Sequence, residues 1–439
     1  MLTGSSRTKL ALVTLMVAIG SGTGATDLPS PDVAFADLNS AQVELGHLLF
    51  FDPVLSGNKT VSCATCHHPR FNTSDGQSLG LGDGGVGLGP DRKIDPNNQP
   101  EQRIPRNSPA LFNLGAPEFT SFFHGGRLEA DASRDSGIRT PLGREMEAGF
   151  ASVLSAQTMF PVLSGDEMAG HYSENDVSQA VRQGLITGPG GAWDILSNRV
   201  SSLPEYKDRF EKLGVTQVHF TDISDAIAAF EDFEWRATAS PFDLHLKGKA
   251  DLPEDAKRGM ALFYGTAGCA DCHSGLFQTD HKFHAIAMPQ VGPGKAARFE
   301  THAQDTGRMR VTGRAEDAYR FRMPSLRNVA HTGPYGHSGS YATLEAVVRH
   351  HLDPVASLLA YDPSQAVLAD VSEFEDLRVI ADASELASIA AANELEPNSL
   401  TDDEIHDLLA FLNALTDPFS LDGRLGIPAQ VPSGLPVDR

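Results

Sequence analysis

Apolar residues recur at helical spacing in two segments of the chain that resemble each other. The first is AQVELGHLLFFDP at 41–53, and the second is EDAKRGMALFYGT at 254–266. Both contain Gly-x-x-Leu-Phe, from Gly46 to Phe50 and from Gly259 to Phe263. The spacing predicts a helix in each segment, and the shared motif indicates that the chain is duplicated.

The same periodicity predicts further helices, over 175–186, 222–235, 342–351 and 402–415. The last of these begins with a Thr-x-x-Glu capping box, Thr401 to Glu404. Helices therefore dominate the predicted structure.

Loops between these segments are long and rich in glycine, most clearly at 78–92. This loop contains Gly80-x-Gly82-x-x-Gly85, which matches a dinucleotide fingerprint in form only, because no strand is predicted before it and no helix after it. A boundary between two units is expected near 238–250, where proline and glycine interrupt the pattern.

Each of the two similar helices is followed by a Cys-x-x-Cys-His unit, CATCH at 63–67 and CADCH at 269–273. These units contain all four cysteines, Cys63, Cys66, Cys269 and Cys272. The spacing is typical of covalent c-type haem, where two thiols bind the porphyrin edge and the histidine binds the iron. We therefore expect two cytochrome c-like domains, with His67 and His273 as proximal ligands.

Two other uses of Cys-x-x-Cys remain open. A structural zinc site usually separates its two pairs by about 15–20 residues, and here the separation is about ten times larger. A thioredoxin-like dithiol does not require the histidine that follows each pair.

The first 25 residues have the outline of a secretory signal. Arg7 and Lys9 precede the apolar run LALVTLMVAIG, and small residues follow it. The run is too short to span a membrane, although a short N-terminal helix is the alternative. We expect a signal peptide at 1–25, a first domain at 26–240, a second at 241–439, and export to the periplasm, where covalent haem is normally attached.

The net charge of −22 argues against nucleic acid or an anionic membrane as a partner. It allows a basic protein to dock. No other stretch of the sequence is predicted to cross a membrane.

Several ordered blocks together resemble the bacterial dihaem cytochrome c peroxidase family, including its MauG-type branch. They are LFFDPVLSGNKTVSCATCHHP (49–69), RNSPALFN (106–113), FFHGGRLE (122–129), AQTMFPVLSGDEMAG (156–170), SPFDLHLKG (240–248), GCADCHSG (268–275) and FRMPSLRNVAHTGPYGHSGSYATLEAVV (321–348). The resemblance covers most of the chain. It implies a first haem that reacts with hydrogen peroxide and a second that transfers electrons.

The sixth iron position decides reactivity, because an open iron binds peroxide and a capped one passes electrons. Family members that switch carry a histidine before the Arg-Asn-x-Pro block, whereas residues 69–105 contain neither His nor Met. The resemblance thus implies an open first haem, unless another segment supplies a ligand.

For the second iron the residues alone leave several candidates: Met288, Met309, Met323, His281, His284, His331, His337, His350 and His351. The family places its ligand, Met in peroxidases or Tyr in the MauG branch, fourteen residues after the position of His337. That position is His351, which implies a bis-histidine second haem. His350 is the adjacent competitor.

Peroxide cleavage also needs a group that moves a proton between the two oxygens. By resemblance, Glu167 is this acid–base group, Gln157 a hydrogen-bond donor beside it, and Pro161 a third matching position. Without the resemblance, Glu167 would be interpreted as a surface carboxylate.

Two further assignments follow from the family. Asn107, with the carbonyls of Thr332 and Pro334, matches a calcium site, and oxygen ligands suit Ca²⁺; a turn-capping Asn is the alternative. His124 stands where the family often has a tryptophan between the haems.

Three functions compete. The first is a periplasmic peroxidase that takes electrons from a small cytochrome c or cupredoxin. The second is a MauG-like oxidase that uses peroxide to oxidise residues of a partner protein. The third is a non-catalytic dihaem electron carrier, which the open first haem and the Gln157–Glu167 pair disfavour. A homodimer is possible, since the family is often dimeric.

Overall fold

The computed structural model describes residue 1 and residues 28–171, 173–295 and 302–439. The predicted signal peptide at 1–25 lies, apart from Met1, outside the described residues. The helices are α1 (Ser40–Phe51), α2 (Cys63–Cys66), α3 (Val153–Thr158), α4 (Asp176–Arg182), α5 (Ala192–Ser201), α6 (Pro204–Lys212), α7 (Phe220–Glu234), α8 (Pro241–Leu246), α9 (Glu254–Phe263), α10 (Met309–Thr312), α11 (Leu344–Leu352), α12 (Pro354–Leu359), α13 (Ala383–Ala391), α14 (Asp402–Asn413) and α15 (Pro418–Leu421). The helices predicted from periodicity are confirmed as α1, α4, α7, α9, α11 and α14, and the Thr401–Glu404 capping box is present.

The strands are two or three residues long and pair antiparallel. They are β1 (Gly85–Val86), β2 (Lys93–Ile94), β3 (Ser121–Phe122), β4 (Leu128–Ala130), β5 (Ile138–Arg139), β6 (Phe283–His284) and β7 (Phe321–Arg322). They form the sheets β1–β2, β3–β4–β5 and β6–β7. The described structure is thus rich in helix, with short strands that pin the loops.

Two helix pairs are built in the same way. Helix α1 crosses α7 at Gly46, where an added Cβ would lie 1.8 Å from the carbonyl oxygen of Ala226. Helix α9 crosses α14 at Gly259, where a Cβ would lie 1.9 Å from the carbonyl oxygen of Asp407. Only glycine permits such close backbones, so the repeated Gly-x-x-Leu-Phe motif has a packing role in both halves.

The largest hydrophobic core is formed by α1, α3, α5, α6 and α7, with Trp193 and Trp235 buried in it. A second core joins α8, α9 and α14 around Phe242 and Phe411. The first core includes Val61 and Ala64 at the first Cys-x-x-Cys-His unit, and the second core includes Tyr264 and Ala270 at the second unit. The division of the chain at 240 and 241 stays a prediction.

The end of the chain returns to the first core. Val431 is buried there, Asp438 accepts a hydrogen bond from Thr65 Oγ1 (2.5 Å), and Ser433 Oγ donates to Asp52 (2.6 Å). No pattern in the sequence predicted this return. Within the described residues, no helix has the length and apolar character needed to cross a membrane.

Candidate functional site

The first Cys-x-x-Cys-His unit forms a single helical turn. At the start of α2 the amide of Ser62 donates to Thr65 Oγ1 (2.9 Å), and the amide of Thr65 donates to the carbonyl of Ser62 (3.1 Å). Nδ1–H of His67 donates to the carbonyl of Thr73 (3.0 Å). In this tautomer the lone pair of Nε2 can bind a metal. Burial raises the pKa of both thiols, that of Cys66 to about 12, which disfavours a redox dithiol because such sites need a low thiol pKa.

A cavity of about 580 Å³ opens beside this turn. Cys63, Cys66 and His67 line it together with Gln157, Pro161 and Glu167. The volume lies in the range of roughly 300–1,000 Å³ that cofactor pockets occupy, and its walls include apolar residues such as Leu111, Leu114 and Phe122. The residues present therefore fit a covalently attached haem.

The three distal candidates reach this cavity from consecutive short elements. Gln157 lies on α3, Pro161 begins a 3₁₀ turn at Pro161–Leu163, and Glu167 lies on a wide turn at Gly165–Ala169. The carbonyl of Glu167 accepts a bond from the amide of Asp83 (3.0 Å), which fixes the turn. The structure thus brings together residues that the sequence linked only by resemblance.

The electrostatics of Glu167 set two effects against each other. Burial raises the pKa of its carboxyl, and Asp166 adds to the rise, whereas Arg127 and then Lys295 lower it. Both cations line the same cavity. Neither was singled out from the sequence, although Arg127 belongs to the quoted FFHGGRLE block.

Two other buried acids line the cavity and were also missed. Glu231 on α7 has one oxygen without a hydrogen-bond partner in the described structure, and burial raises its pKa to about 8. Asp75 lies close enough to Cys66 to raise its pKa, and burial raises the pKa of Asp75 itself to about 7. No sequence signal distinguishes these from surface carboxylates.

Segment 69–105 contains neither His nor Met, so it supplies no side chain of these types to the cavity. His124 and Met168 line it, so outside the Cys-x-x-Cys-His unit itself they are the described lining side chains of the types that commonly bind haem iron. Burial lowers the pKa of His124 well below its usual value, and Arg106 adds to this. The backbone carbonyl of His124 accepts a bond from the amide of Arg322 (2.7 Å), which joins the segment to β7.

The second site pairs two histidines. The rings of His273 and His351 lie with centroids 6.2 Å apart, close to two metal–nitrogen bonds of about 2 Å plus two ring half-widths of about 1 Å. Nδ1 of His273 bonds the carbonyl of Gln278 (3.2 Å) and Nδ1 of His351 bonds that of Val347 (2.7 Å). Each ring therefore keeps Nε2 for a metal, so these residues also fit a haem.

His350, the competitor on α11, is held elsewhere. Its Nδ1 lies 3.0 Å from the hydroxyl of Tyr341 and its Nε2 2.8 Å from the carbonyl of Ile286. Its ring stands at 88° to that of His351. Its hydrogen bonds give it a structural role.

Three other histidine candidates, His281, His284 and His337, are engaged in other contacts. His281 pairs with Glu118 (2.8 Å), and His284 lies between Asp280 (2.9 Å) and Glu394 (3.4 Å). The ring of His337 stacks on Phe321 at 3.7 Å. Of the methionines, Met288 packs in a separate apolar cluster. His351 is the candidate whose ring lies against that of His273.

Asn107 lies beside the segment that contains the other predicted calcium ligands. Its amide N donates to the carbonyl of His337 (2.9 Å), and its side-chain amide donates to the carbonyls of Gln77 (2.9 Å) and Ser78 (3.2 Å). The described residues contain no cluster of three or more His, Cys, Asp or Glu side chains suited to a metal. A calcium ion there would depend on carbonyl and amide oxygens, a donor set that suits it.

Comparison with known proteins finds similarity to di-haem peroxidases and to MauG. The family model for di-haem cytochrome c peroxidase matches residues 40–251. The methylamine utilization protein MauG of Methylorubrum extorquens is 31% identical over 321 residues, which are 72% of this chain and 69% of that protein. Cytochrome c551 peroxidase of Pseudomonas aeruginosa is 30% identical over 322 residues, 71% of each chain.

Solved structures agree on the fold. A MauG-like protein associated with microbial copper homeostasis superposes with a TM-score of 0.55 at 24% identity, covering 93% of this chain and 97% of that one. The diheme peroxidase BthA of Burkholderia thailandensis gives 0.56 at 20% identity, covering 95% and 97%. At such identities these likenesses establish the fold alone.

Proposed function

Because the chain belongs to the di-haem cytochrome c peroxidase family, we propose that it reduces hydrogen peroxide to water with electrons from a small redox protein. The observation that carries this proposal is the cavity that joins Gln157, Pro161 and Glu167 to His67. A cytochrome c or a cupredoxin is the expected donor. Two electrons and two protons convert one peroxide to two waters.

Family membership implies two c-type haems. Cys63, Cys66 and His67 would hold the first. Cys269, Cys272, His273 and His351 would hold the second. When bound, the haems supply the redox chemistry, with the iron giving and taking single electrons.

The chain's own residues supply proton transfer and orientation. Glu167 takes the proton from the near oxygen of peroxide and delivers it to the far oxygen as that oxygen leaves. Gln157 orients the peroxide by hydrogen bonding, and Pro161 forms part of the cavity wall. Burial of Glu167 favours the protonated state in which the carboxyl can return its proton.

A MauG-like oxidase of residues on a partner protein is the second candidate. It is favoured by the absence of His and Met from 69–105, which supports an open first iron, and by the 31% identity to MauG. The two functions share the peroxide site and differ in which protein is oxidised. In the oxidase, reduced cytochrome c would be a poor electron donor.

We also propose that Asn107 and the carbonyls of Thr332 and Pro334 bind calcium at the junction of segments 106–113 and 321–348. We further propose that a signal peptide at 1–25 directs export of the protein to the periplasm. A homodimer is expected from the family. Metal analysis of the purified protein, before and after a chelator, tests the calcium ion.

The test of the function is peroxide turnover by the fully oxidised holoprotein with reduced small cytochrome c as donor. Glu167→Gln, with both haems retained, should lower turnover by about 10² or more. Glu205→Gln, an exposed carboxylate on α6, is the matched control and should match the wild type. Undiminished turnover in Glu167→Gln would sink the assignment of Glu167. Fast peroxide consumption with cytochrome c barely oxidised would favour the oxidase.

A further inference from the structure

A tightly fixed loop carries Lys295 to the cavity. Gly292 N donates to the carbonyl of Asp376 (2.7 Å) and Lys295 N to that of Gln304 (3.2 Å). Gly294 has φ +65°, and a Cβ there would lie 1.9 Å from the carbonyl oxygen of Ala303. Glycine is therefore required for this close approach, and the loop sets where the lysine side chain enters the cavity.

Lys295 and Arg127 both line the cavity that Glu167 lines. Within the described residues neither forms an ion pair, and the guanidinium of Arg127 instead lies over the ring of Phe123 at 3.8 Å. Arg106, in contrast, holds Asp305 through two bonds of 2.6 and 2.8 Å. The charges of Lys295 and Arg127 thus act on the cavity, whereas that of Arg106 is largely compensated.

The group that these two charges act on is Glu167. A base must be ionised when its substrate arrives, and a carboxyl out of water favours the neutral form unless an opposite charge lies close. Asp166 opposes ionisation from the same turn, and Arg127 and Lys295 favour it from two other loops. Arg106 lowers the pKa of Lys295 and Asp305 raises it.

We propose that Lys295 is a positioning residue that keeps the Glu167 carboxylate ionised in the cavity, so that it can accept the first proton of peroxide. This proposal rests on the assignment of Glu167 in the proposed function. Lys295 is itself affected by its surroundings, because burial first, then Arg127 and Arg106, lower its pKa to about 8. Its effect on Glu167 should therefore be full below about pH 7 and fade above about pH 9.

The test is the bimolecular rate of peroxide reaction with the fully oxidised holoprotein, measured from about pH 5 to about pH 9. Lys295→Met should move the acid limb of this profile upward by about one pH unit. The rate should then be about tenfold lower on the acid limb and meet that of the wild type at high pH. Lys295→Arg should restore the limb. Lys207→Met, an exposed lysine on α6, is the control for loss of a lysine.

Three outcomes overturn the proposal. A rate lowered by the same factor at every pH would make the role of Lys295 structural. An unmoved acid limb, with a changed midpoint potential of the first haem, would mean that Lys295 binds a haem propionate instead. Glu167→Gln, measured in the same series, separates the two claims. If this variant reacts normally with peroxide, the proposed function of Glu167 fails. If it is inactive and the acid limb of Lys295→Met is not shifted, only the claim on Lys295 fails.

Discussion

Replacing Gly259 by alanine tests the helix crossing that supports the second Cys-x-x-Cys-His unit. A Cβ at this position would lie 1.9 Å from the carbonyl oxygen of Asp407 and 2.9 Å from Cβ of Phe411. Ordinary van der Waals contact begins near 3.4 Å, so α9 and α14 would have to separate by about 1.5 Å. No side-chain rotation relieves the clash, since the obstacle is backbone.

The cost can be worked from this displacement. Overpacking costs about 1–3 kcal/mol, and moving two helices apart also weakens the contacts of Phe263 with Phe411, whose rings now lie 5.2 Å apart. Alanine gains about 1 kcal/mol over glycine in helix propensity. With a clash near the upper end of the range, the net loss should be about 2 kcal/mol.

The assay is urea unfolding of the holoprotein, followed by far-ultraviolet circular dichroism and by haem absorbance. Ala261→Ser is the matched control, because Ala261 is on the exposed face of the same helix and the change also adds one heavy atom. Its cost should be about 0.5 kcal/mol. Stability of Gly259→Ala at or above that of the wild type would refute the close crossing of α9 and α14.

Two further predictions concern the buried histidine and acid. His351→Met should raise the midpoint potential of the second haem, because thioether favours ferrous iron, while His350→Gln should leave it unchanged; equal effects in a redox titration would contradict the assignment. Because burial raises the pKa of Glu231 to about 8, the folded protein keeps a proton that the unfolded chain releases, so stability should fall from about pH 5 to about pH 8 by up to about 1.4 kcal/mol per pH unit. Glu231→Gln should flatten this slope in urea midpoints measured across the range, and an unchanged slope would contradict it.

Local patterns were sufficient for the two Cys-x-x-Cys-His motifs and for the six helices α1, α4, α7, α9, α11 and α14. The periodicity of α7 and α14 and the capping box at Thr401 depend on residues three or four apart, so the sequence displays them directly. The Cys-x-x-Cys-His spacing is equally local. The role of Gly46 and Gly259 could be predicted only in part. The repeated motif is visible in the sequence, but its cause, a close helix crossing, is seen only when the partner helix is in place.

The surroundings of the cavity could not be predicted in this way. Arg127, Glu231 and Lys295 come from three loops or helices far apart in the sequence, and each is an ordinary charged residue by type. Their burial and mutual distances arise only when the chain is folded. The return of the C-terminal segment to Asp52 is of the same kind, since nothing near Ser433 signals its partner.

The two sites are built on helix pairs of the same kind, α1 with α7 and α9 with α14, and they differ in what faces the histidine. His67 faces a cavity lined by acids and by the cations Arg127 and Lys295, a setting that can hold a small polar substrate and move its protons. His273 faces the ring of His351, which leaves no room for a substrate between them. The same Gly-x-x-Leu-Phe helix and Cys-x-x-Cys-His turn therefore support opposite tasks, and the difference lies in the segments that fold over each turn, 153–169 and 291–295 at the first and α11 at the second. Changing the task of a site should accordingly require exchange of these covering segments and not of the haem-binding turn.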